Sequence, residues 1–264
     1  MMKFNFLILS LLVISAQSFA GPAPLMAANA ACNGLDLGWT PAYSSLVAYL
    51  PMNGLLGGVA SGAKVNDVFG TSNGTTNGAG LTYTAGKLEQ AIKFDGSHYI
   101  SIPNSAPANV CAAITVMFWV KWNAPNTSNY AALVSNWNGC GTDAAWAVVQ
   151  SGTTQRIQIS VNTTATFNQN LFGTTTPLDG SWHHIAVTIT AAGAGILYVD
   201  GAVDNSKSYS EGAGICSPTT PILIGTGNCA ASFPGTMAEF SIWSTVLTQT
   251  QIQTIYNRQV NGIH

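Results

Sequence analysis

Apolar residues recur along this chain in short segments, and Gly, Asn and Pro separate one segment from the next. This rhythm is typical of short strands joined by tight turns, as in a β-sandwich. From Leu46 onward the pattern predicts twelve strands, over Leu46–Met52, Leu81–Thr84, Ala91–Phe94, Tyr99–Ile102, Ile114–Trp122, Ala131–Asn136, Ala145–Gln150, Arg156–Val161, His183–Thr190, Ile196–Val199, Ile222–Ile224 and Thr236–Trp243.

The segment Ile114–Trp122 shows the alternation most clearly. One face carries Ile, Val, Phe, Val and Trp, and the other carries Thr, Met, Trp and Lys. Side chains alternate across a strand, so we expect the first face to point into the core and the second to meet solvent or a ligand. Tight turns are predicted where Asn or Asp precedes Gly, at Asn53–Gly54, Asn73–Gly74, Asn77–Gly78, Asn138–Gly139 and Asp200–Gly201.

The C-terminal segment has a different period. Thr248 is a suitable N-cap, and Ile252, Ile255 and Tyr256 recur at helical spacing before Gly262. The sequence therefore predicts a mostly β domain closed by one short amphipathic helix.

The N-terminal residues have the pattern of a signal peptide. Lys3 supplies a positive charge, an apolar run covers Phe6–Ala16, and small residues precede a cleavage point after Ala20. An uncleaved membrane anchor is the alternative, but this run is shorter than the roughly 18 residues that span a bilayer. The predicted organisation is a signal peptide over 1–20, a flexible leader over 21–45 and one domain over 46–264, with no later segment of spanning length. The mature chain is expected to be exported, either outside the cell, at its surface or in a periplasm.

Composition narrows the classes of function. Charged residues make up 7% of the sequence, and without Lys3 the mature chain has seven basic and ten acidic residues, with no run of either sign. Nucleic acid and anionic membranes are therefore not expected as partners. The aromatic residues, which include 7 Trp, 8 Tyr and 10 Phe, indicate a folded chain rather than a disordered one.

Five cysteines are spread through the chain, at positions 32, 111, 140, 216 and 229, without the spacing of a zinc site. Two disulfides would leave one thiol over, and the sequence leaves the pairing open. We predict a bridge between Cys140 and Cys229, because both follow apolar strands in turns that would meet at one end of a sandwich.

Five segments in order resemble the laminin-G-like jelly rolls of the concanavalin A-like lectin/glucanase superfamily. The family pattern G-K-x-x-x-A-x-x-F-D-G is similar to the segment that begins at Gly86, and W-H-H-[IV]-A-V-T is similar to the segment that begins at Trp182. The segments that carry the likeness are Leu46–Met52, Gly86–Pro103, Ser181–Thr188, Leu197–Gly201 and Ile224–Phe240, followed by the helix. The resemblance implies an all-β, two-sheet antiparallel jelly-roll sandwich with a short C-terminal helix.

The same resemblance raises the question of catalysis. Superfamily members that hydrolyse glycans hold two or more carboxylates near the scissile bond. The three glutamates, Glu89, Glu211 and Glu239, are far apart in sequence, and no G-x-S-x-G elbow surrounds a serine. We therefore predict that the protein is not an enzyme. The segment Trp182–His184 is interpreted as hydrogen-bonded scaffold, and Phe94–Gly96 as a strand end with a turn, or alternatively as part of a cation site.

Calcium is the metal that the residues favour. Asp67, Asn73 and Asn77 supply the oxygen ligands that Ca²⁺ prefers. The resemblance implies a calcium site near this loop, completed by a carboxylate from a Met-Asp-Glu-Phe-like segment. Glu239 lies in that segment here, but Ala238 replaces the aspartate. A solvated turn without metal is the alternative.

One loop combines an aromatic residue with amide and carboxylate groups, as glycan sites do. The predicted ligand patch consists of Asn136, Trp137, Asn138, Asp143 and Trp146, with Asn168 and Asn170 as weaker additions. Trp137 is expected just outside a strand, where it either stacks on a sugar or packs against the fold. The sequence thus predicts a secreted, non-catalytic carbohydrate-binding or adhesive module with a glycan or cell-surface polysaccharide as partner. The alternatives are a self-associating subunit of an extracellular surface assembly or appendage and, with less support, a glycoside hydrolase.

Overall fold

The computed structural model describes residues 40–123, 130–138, 143–162, 169–209, 219–227 and 231–263. After a single 3₁₀ turn at Tyr43–Ser45, strands form two sheets. The strands of the first sheet are β1 (Leu46–Leu50), β2 (Gly57–Gly58), β5 (Thr82–Ala85), β6 (Gln90–Lys93), β8 (Ala113–Asn123), β13 (Asp179–Thr190), β14 (Ala194–Val199), β15 (Ala202–Ser208) and β18 (Thr236–Trp243). Those of the second are β3 (Lys64–Val65), β4 (Gly74–Asn77), β7 (Tyr99–Ile102), β9 (Ala131–Asn138), β10 (Asp143–Gln150), β11 (Ile157–Val161), β12 (Gln169–Phe172), β16 (Ile222–Ile224) and β17 (Ala231–Ser232).

Strands distant in sequence are neighbours in both sheets. The first sheet has the order β15-β14-β13-β8-β18-β6-β5-β2, with β1 beside β18. The second has the order β12-β11-β10-β9-β16-β7-β4-β3, with β17 beside β9. Among the strands of the described residues, all pairs are antiparallel except β17 with β9. The predicted all-β jelly-roll sandwich is confirmed.

The core lies between the two sheets. Phe118 and Val187 contribute from the first sheet, and Leu133, Val148 and Ile159 contribute from the second, all fully buried in one cluster. The predicted inward face of Ile114–Trp122 is confirmed, since Ile, Val, Phe, Val and Trp of that segment all belong to this cluster.

The outward face of the same strand differs from the prediction. Met117 and Trp119 are buried rather than open to solvent, because the C-terminal helix α1 (Gln249–Val260) packs over them. Trp119 Nε1 donates to Gln259 Oε1 at 2.7 Å, and its ring stacks on Tyr256. The predicted N-cap is confirmed, since Thr248 and Gln251 form a capping box.

Two of the predicted turns have opposite outcomes. Asp200 and Gly201 both have positive φ angles, of 51° and 77°, and they form the predicted two-residue turn between β14 and β15. The turn predicted at Asn73–Gly74 is wrong, because Gly74 opens strand β4. A Cβ atom there would lie 2.5 Å from Ile100 Cγ2, so Gly74 serves close packing.

Candidate functional site

Both tryptophans of the predicted ligand patch are buried. Trp137 lies inside β9 rather than beyond its end, and 8% of the residue is exposed. Its indole packs on the outer face of the second sheet with Ala132, Ala147 and Val149. The strand continues two residues further than the apolar pattern indicated, and this extension turns an expected loop residue into a packed one.

The other members of the predicted patch take different positions. Trp146 belongs to the core between the sheets, and the buried Asn136 Nδ2 donates to the carbonyl of Thr220 at 3.0 Å. Asn138 and Asp143 are backbone partners where β9 meets β10. The two indoles of the patch therefore lie apart, Trp146 in the core and Trp137 on the outer face of the second sheet.

Asp67, the first residue of the predicted calcium set, is a buried acceptor of main-chain hydrogen bonds. Its carboxylate accepts from the amide of Tyr49 at 2.9 Å, of Ser72 at 3.0 Å and of Thr71 at 3.1 Å. Asn73 Oδ1 in turn accepts from the Asp67 amide. These bonds close the loop between β3 and β4 against β1.

Glu239 is also buried, on a bulge of β18 where its φ angle is 56°. Its carboxylate accepts a hydrogen bond from the hydroxyl of Tyr49, whose pKa is raised well above its usual value by burial. Asn77 lies exposed at the end of β4. Both Asp67 oxygens and one oxygen of Glu239 accept hydrogen bonds, and the bonds to Asp67 anchor the loop. Within the described ranges, no three His, Cys, Asp or Glu side chains are grouped to hold a metal.

Two further predictions fall elsewhere in the chain. The Cys140–Cys229 bridge and the signal peptide over residues 1–20 lie outside the described residues. In the part that is described, helix α1 is too short to cross a bilayer, and no candidate membrane-spanning helix is found.

An open groove of about 390 Å³ lies at the edge of the first sheet. We call it the edge groove. Its walls come from the segment before β13, from β13 itself and from the β14–β15 hairpin. The lining residues are Thr175, Thr176, Pro177, Asp179, His183, Val199, Asp200, Ala202, Val203 and Asp204.

His183 sits between two carboxylates of the edge groove. Its Nδ1 is 2.7 Å from Asp200 Oδ2, and its Nε2 is 3.4 Å from Asp179 Oδ1. Asp200 also accepts from the amide of His184 through its other oxygen, at 2.9 Å. The tight turn at Asp200 thus fixes both the carboxylate and the imidazole.

The other two carboxylates are fixed by local main-chain donors. Asp204 accepts from the amides of Thr174 and Thr175, each at 2.9 Å, and from the Thr174 hydroxyl. Asp179 accepts from the Ser181 amide at 2.8 Å, and this bond lowers the pKa of its carboxyl, with a smaller contribution from His183. The side chain of Asp179 is 47% exposed, so an ionised carboxylate faces the solvent in the groove.

The neighbouring His184 shows the opposite environment. It is buried on the other face of β13, edge-on to the Trp119 ring, and burial lowers its pKa to about 4. The two histidines thus lie on opposite faces of β13, because side chains alternate along a strand. The sequence pattern does not predict the edge groove, although it contains the Asp200–Gly201 turn and the Trp182–His184 segment, because it does not predict the β15 strand that carries Asp204.

Comparison with known proteins shows that most of the described domain matches a known family. Residues 94–253 match the family Laminin_G_3, described as the concanavalin A-like lectin/glucanases superfamily. A curated rat (Rattus norvegicus) protein, sushi, von Willebrand factor type A, EGF and pentraxin domain-containing protein 1, is 35% identical over 86 residues. That alignment covers 29% of this chain and 2% of the rat protein.

Solved structures share the fold at low identity. Domain 4 of AbnA, an extracellular arabinanase from Geobacillus stearothermophilus in complex with arabinotriose, is 18% identical with a TM-score of 0.61, and the match covers 80% of this chain and 98% of that one. The binding domain of botulinum neurotoxin DC in complex with SialylT is 12% identical with a TM-score of 0.61, covering 81% of this chain and 52% of that one. At these identities the likeness is one of fold.

Proposed function

Because the chain belongs to the concanavalin A-like lectin/glucanase superfamily, as its motifs indicated, we propose that it is a non-catalytic carbohydrate-binding or adhesive module that acts outside the cell. The fold is a lectin/glucanase-like carbohydrate-binding fold. The observation that carries the proposal beyond the fold is the edge groove, where polar side chains are held in place around an open space.

The size and lining of the edge groove suit a saccharide. Ligand sites have volumes of roughly 300–1,000 Å³, and this groove has about 390 Å³. Fixed carboxylates accept hydrogen bonds from sugar hydroxyls, while Pro177, Val199 and Val203 offer apolar surface to the C–H groups of a ring. Since the carboxylates are already oriented by main-chain donors, little side-chain entropy is lost on binding.

The geometry favours binding over hydrolysis. A glycosidase general acid needs a raised pKa so that it stays protonated, whereas the pKa of Asp179 is lowered. His183 Nε2 faces Asp179 rather than a serine or cysteine, so the His183–Asp200 pair has no neighbouring nucleophile to activate in the described part of the chain. A role as ligand contact accounts for these features.

Two observations support export. The first 20 residues have the pattern of a signal peptide. Cys111 is disulfide-bonded, and disulfides persist mainly in oxidising compartments outside the cytosol. We expect the mature chain to begin at Gly21, which N-terminal sequencing of the exported protein checks.

The test of binding uses a panel of soluble oligosaccharides and insoluble polysaccharides. Isothermal titration and pull-down should detect a ligand for the full mature chain, and the affinity should fall in Asp179→Asn. Asp95→Asn is the matched control, because Asp95 is also an exposed carboxylate that accepts main-chain bonds and contacts a histidine, at a turn outside the groove. Two outcomes would overturn the proposal: the protein releases reducing sugar from an oligosaccharide or polysaccharide, or it binds none of them.

Calcium binding by Asp67, Asn73, Asn77 and Glu239 remains a separate prediction. If these residues hold Ca²⁺, added calcium will raise the thermal unfolding midpoint and a chelator will reverse the rise. If they serve only as a loop anchor, neither reagent will shift it.

A second candidate function, a self-associating surface subunit, is favoured by one feature. Leu55 and Leu56 are 92% and 69% exposed beside β2, the edge strand of the first sheet. The loop is fixed at its base, since Asn53 Nδ2 donates to Glu89 and the Gly54 amide donates to Gln90. Light scattering across a concentration series tests this candidate: oligomers that become monomers in Leu55→Ser/Leu56→Ser support it, and a monomer at all concentrations removes it.

A further inference from the structure

The edge groove concentrates negative charge in a protein that has little charge. The whole sequence has 10 acidic residues, and three of them, Asp179, Asp200 and Asp204, line this one groove. Lys and Arg are absent from the lining residues. The charge is therefore a local property of the groove rather than part of a mixed surface.

Little compensates this charge. In the described residues the ion-pair partner of Asp179 and Asp200 is His183, and Asp204 has no ion-pair partner there. Amide N–H groups and a threonine hydroxyl hold the carboxylates, and such donors orient an anion without cancelling its charge. The lowered pKa of Asp179 adds a carboxylate that stays ionised at neutral pH.

Charge of one sign selects against ligands of the same sign. An acidic sugar would bring its carboxylate close to three others, with no Lys or Arg among the lining residues to receive it. A neutral sugar would leave the charge unpaired. A ligand with an ammonium group beside its hydroxyls would satisfy both the charge and the acceptors, and its ring could still pack on Val199 and Val203.

We propose that the edge groove takes a saccharide with a free ammonium group, such as a 2-amino-2-deoxyhexose unit in an oligomer. This inference rests on the proposed carbohydrate-binding function and names the ligand class of the same site. It also predicts discrimination against uronic and sialic acids, which the fold alone does not.

The experiment compares four probes with the full mature chain by isothermal titration at low salt. They are a tetramer of glucosamine, the same tetramer fully N-acetylated, a tetramer of galacturonic acid, and spermidine. The N-acetylated tetramer has the same ring and linkage without the charge. We expect the glucosamine tetramer to bind at least about tenfold more tightly than its acetylated form, as for a charge-assisted hydrogen bond.

Substitutions in the edge groove test whether its carboxylates bind the glucosamine tetramer. Asp179→Asn should weaken the glucosamine tetramer by about tenfold and Asp179→Lys by more, since one removes and the other reverses a charge. The matched controls Asp95→Asn and Asp95→Lys place the same changes outside the groove and should leave the affinity unchanged. Circular dichroism confirms that each variant is folded.

The outcomes separate the two proposals. If the acetylated or the galacturonic acid tetramer binds as tightly as the glucosamine tetramer, and Asp179→Asn weakens it, carbohydrate binding stands and the ammonium inference fails. If spermidine binds as tightly, the site recognises amines rather than sugars and the inference also fails. If no oligosaccharide binds at any salt concentration, the proposed function itself fails.

Discussion

Two carboxylate clusters of this protein use the same kind of hydrogen bond and end in opposite environments. Asp67 and Glu239 are buried beside Tyr49; main-chain amides donate to Asp67, and the Tyr49 hydroxyl donates to Glu239. Asp179 and its neighbours in the edge groove also accept main-chain bonds, but the side chain of Asp179 is 47% exposed. Because a buried N–H that loses its acceptor has no water to replace it, the first cluster should govern stability and the second should be available to a ligand.

The largest effect on stability should follow Asp67→Ala. The change leaves the amides of Tyr49 and Ser72, both buried, without their acceptor, and each such group costs roughly 1–3 kcal/mol. Together with the part-buried amide of Thr71, we expect a loss of about 4 kcal/mol in the free energy of unfolding, measured by urea denaturation.

Asp67→Asn provides the graded control. The amide keeps one acceptor oxygen, so about half of the loss should remain. A loss below about 1 kcal/mol in Asp67→Ala would contradict the view that this cluster anchors the loop.

The next largest effect is a loss of folding stability as the pH falls. Burial lowers the pKa of His184 to about 4, against 6.5 for an unperturbed imidazole, so between these values the unfolded chain binds a proton that the folded chain does not. Stability from this residue is complete above pH 6.5 and is lost as pH falls towards 4, by about 3 kcal/mol in all. Urea denaturation from pH 7 to pH 4 measures it.

The control for this prediction is His184→Gln, which removes the titrating group. Carboxylates also titrate near the lower end of this range, so the informative quantity is the difference in pH dependence between the two proteins. If that difference is absent, His184 is not protected from protonation by burial.

A smaller loss is expected for Tyr49→Phe. The substitution keeps the buried ring and removes the hydroxyl that donates to Glu239, so a buried carboxylate loses one donor. We expect a cost of about 2 kcal/mol in urea denaturation, as for a hydrogen bond to a charged group. Tyr83→Phe, on a half-buried tyrosine elsewhere in the first sheet, serves as the matched change and should have little effect.

The sequence pattern predicts some strands of this fold and not others. Alternation identified the long strands β8 and β13, because their buried faces impose a period of two. It did not identify β4, where Gly74–Asn77 has the composition of a turn, nor β15, whose residues are mostly exposed and polar. These strands form through pairing with distant partners, which local composition does not encode.

The candidate site was missed for a related reason. Asp179, Asp200 and Asp204 each look like turn residues in sequence, and the groove exists only because β13 pairs with β14 and β14 with β15. Trp137 illustrates the reverse case. Its position beside Asn-Gly left exposure and packing both open, and packing is what the fold gives, since β9 extends to Asn138 and the indole packs on Ala132, Ala147 and Val149.

The smallest expected change in stability belongs to the edge groove, and it tests the comparison most directly. In Asp179→Asn the amide oxygen can still accept from Ser181, and solvent reaches the rest of the side chain, so the free energy of unfolding should fall by less than about 0.5 kcal/mol. Urea denaturation of this variant beside Asp67→Asn compares the same chemical change in the two clusters. A loss in Asp179→Asn as large as that in Asp67→Asn would mean that the groove carboxylates are also structural. A negligible loss accompanied by weaker ligand binding would assign them to recognition, because a site that holds the fold together cannot lose a charge at no cost.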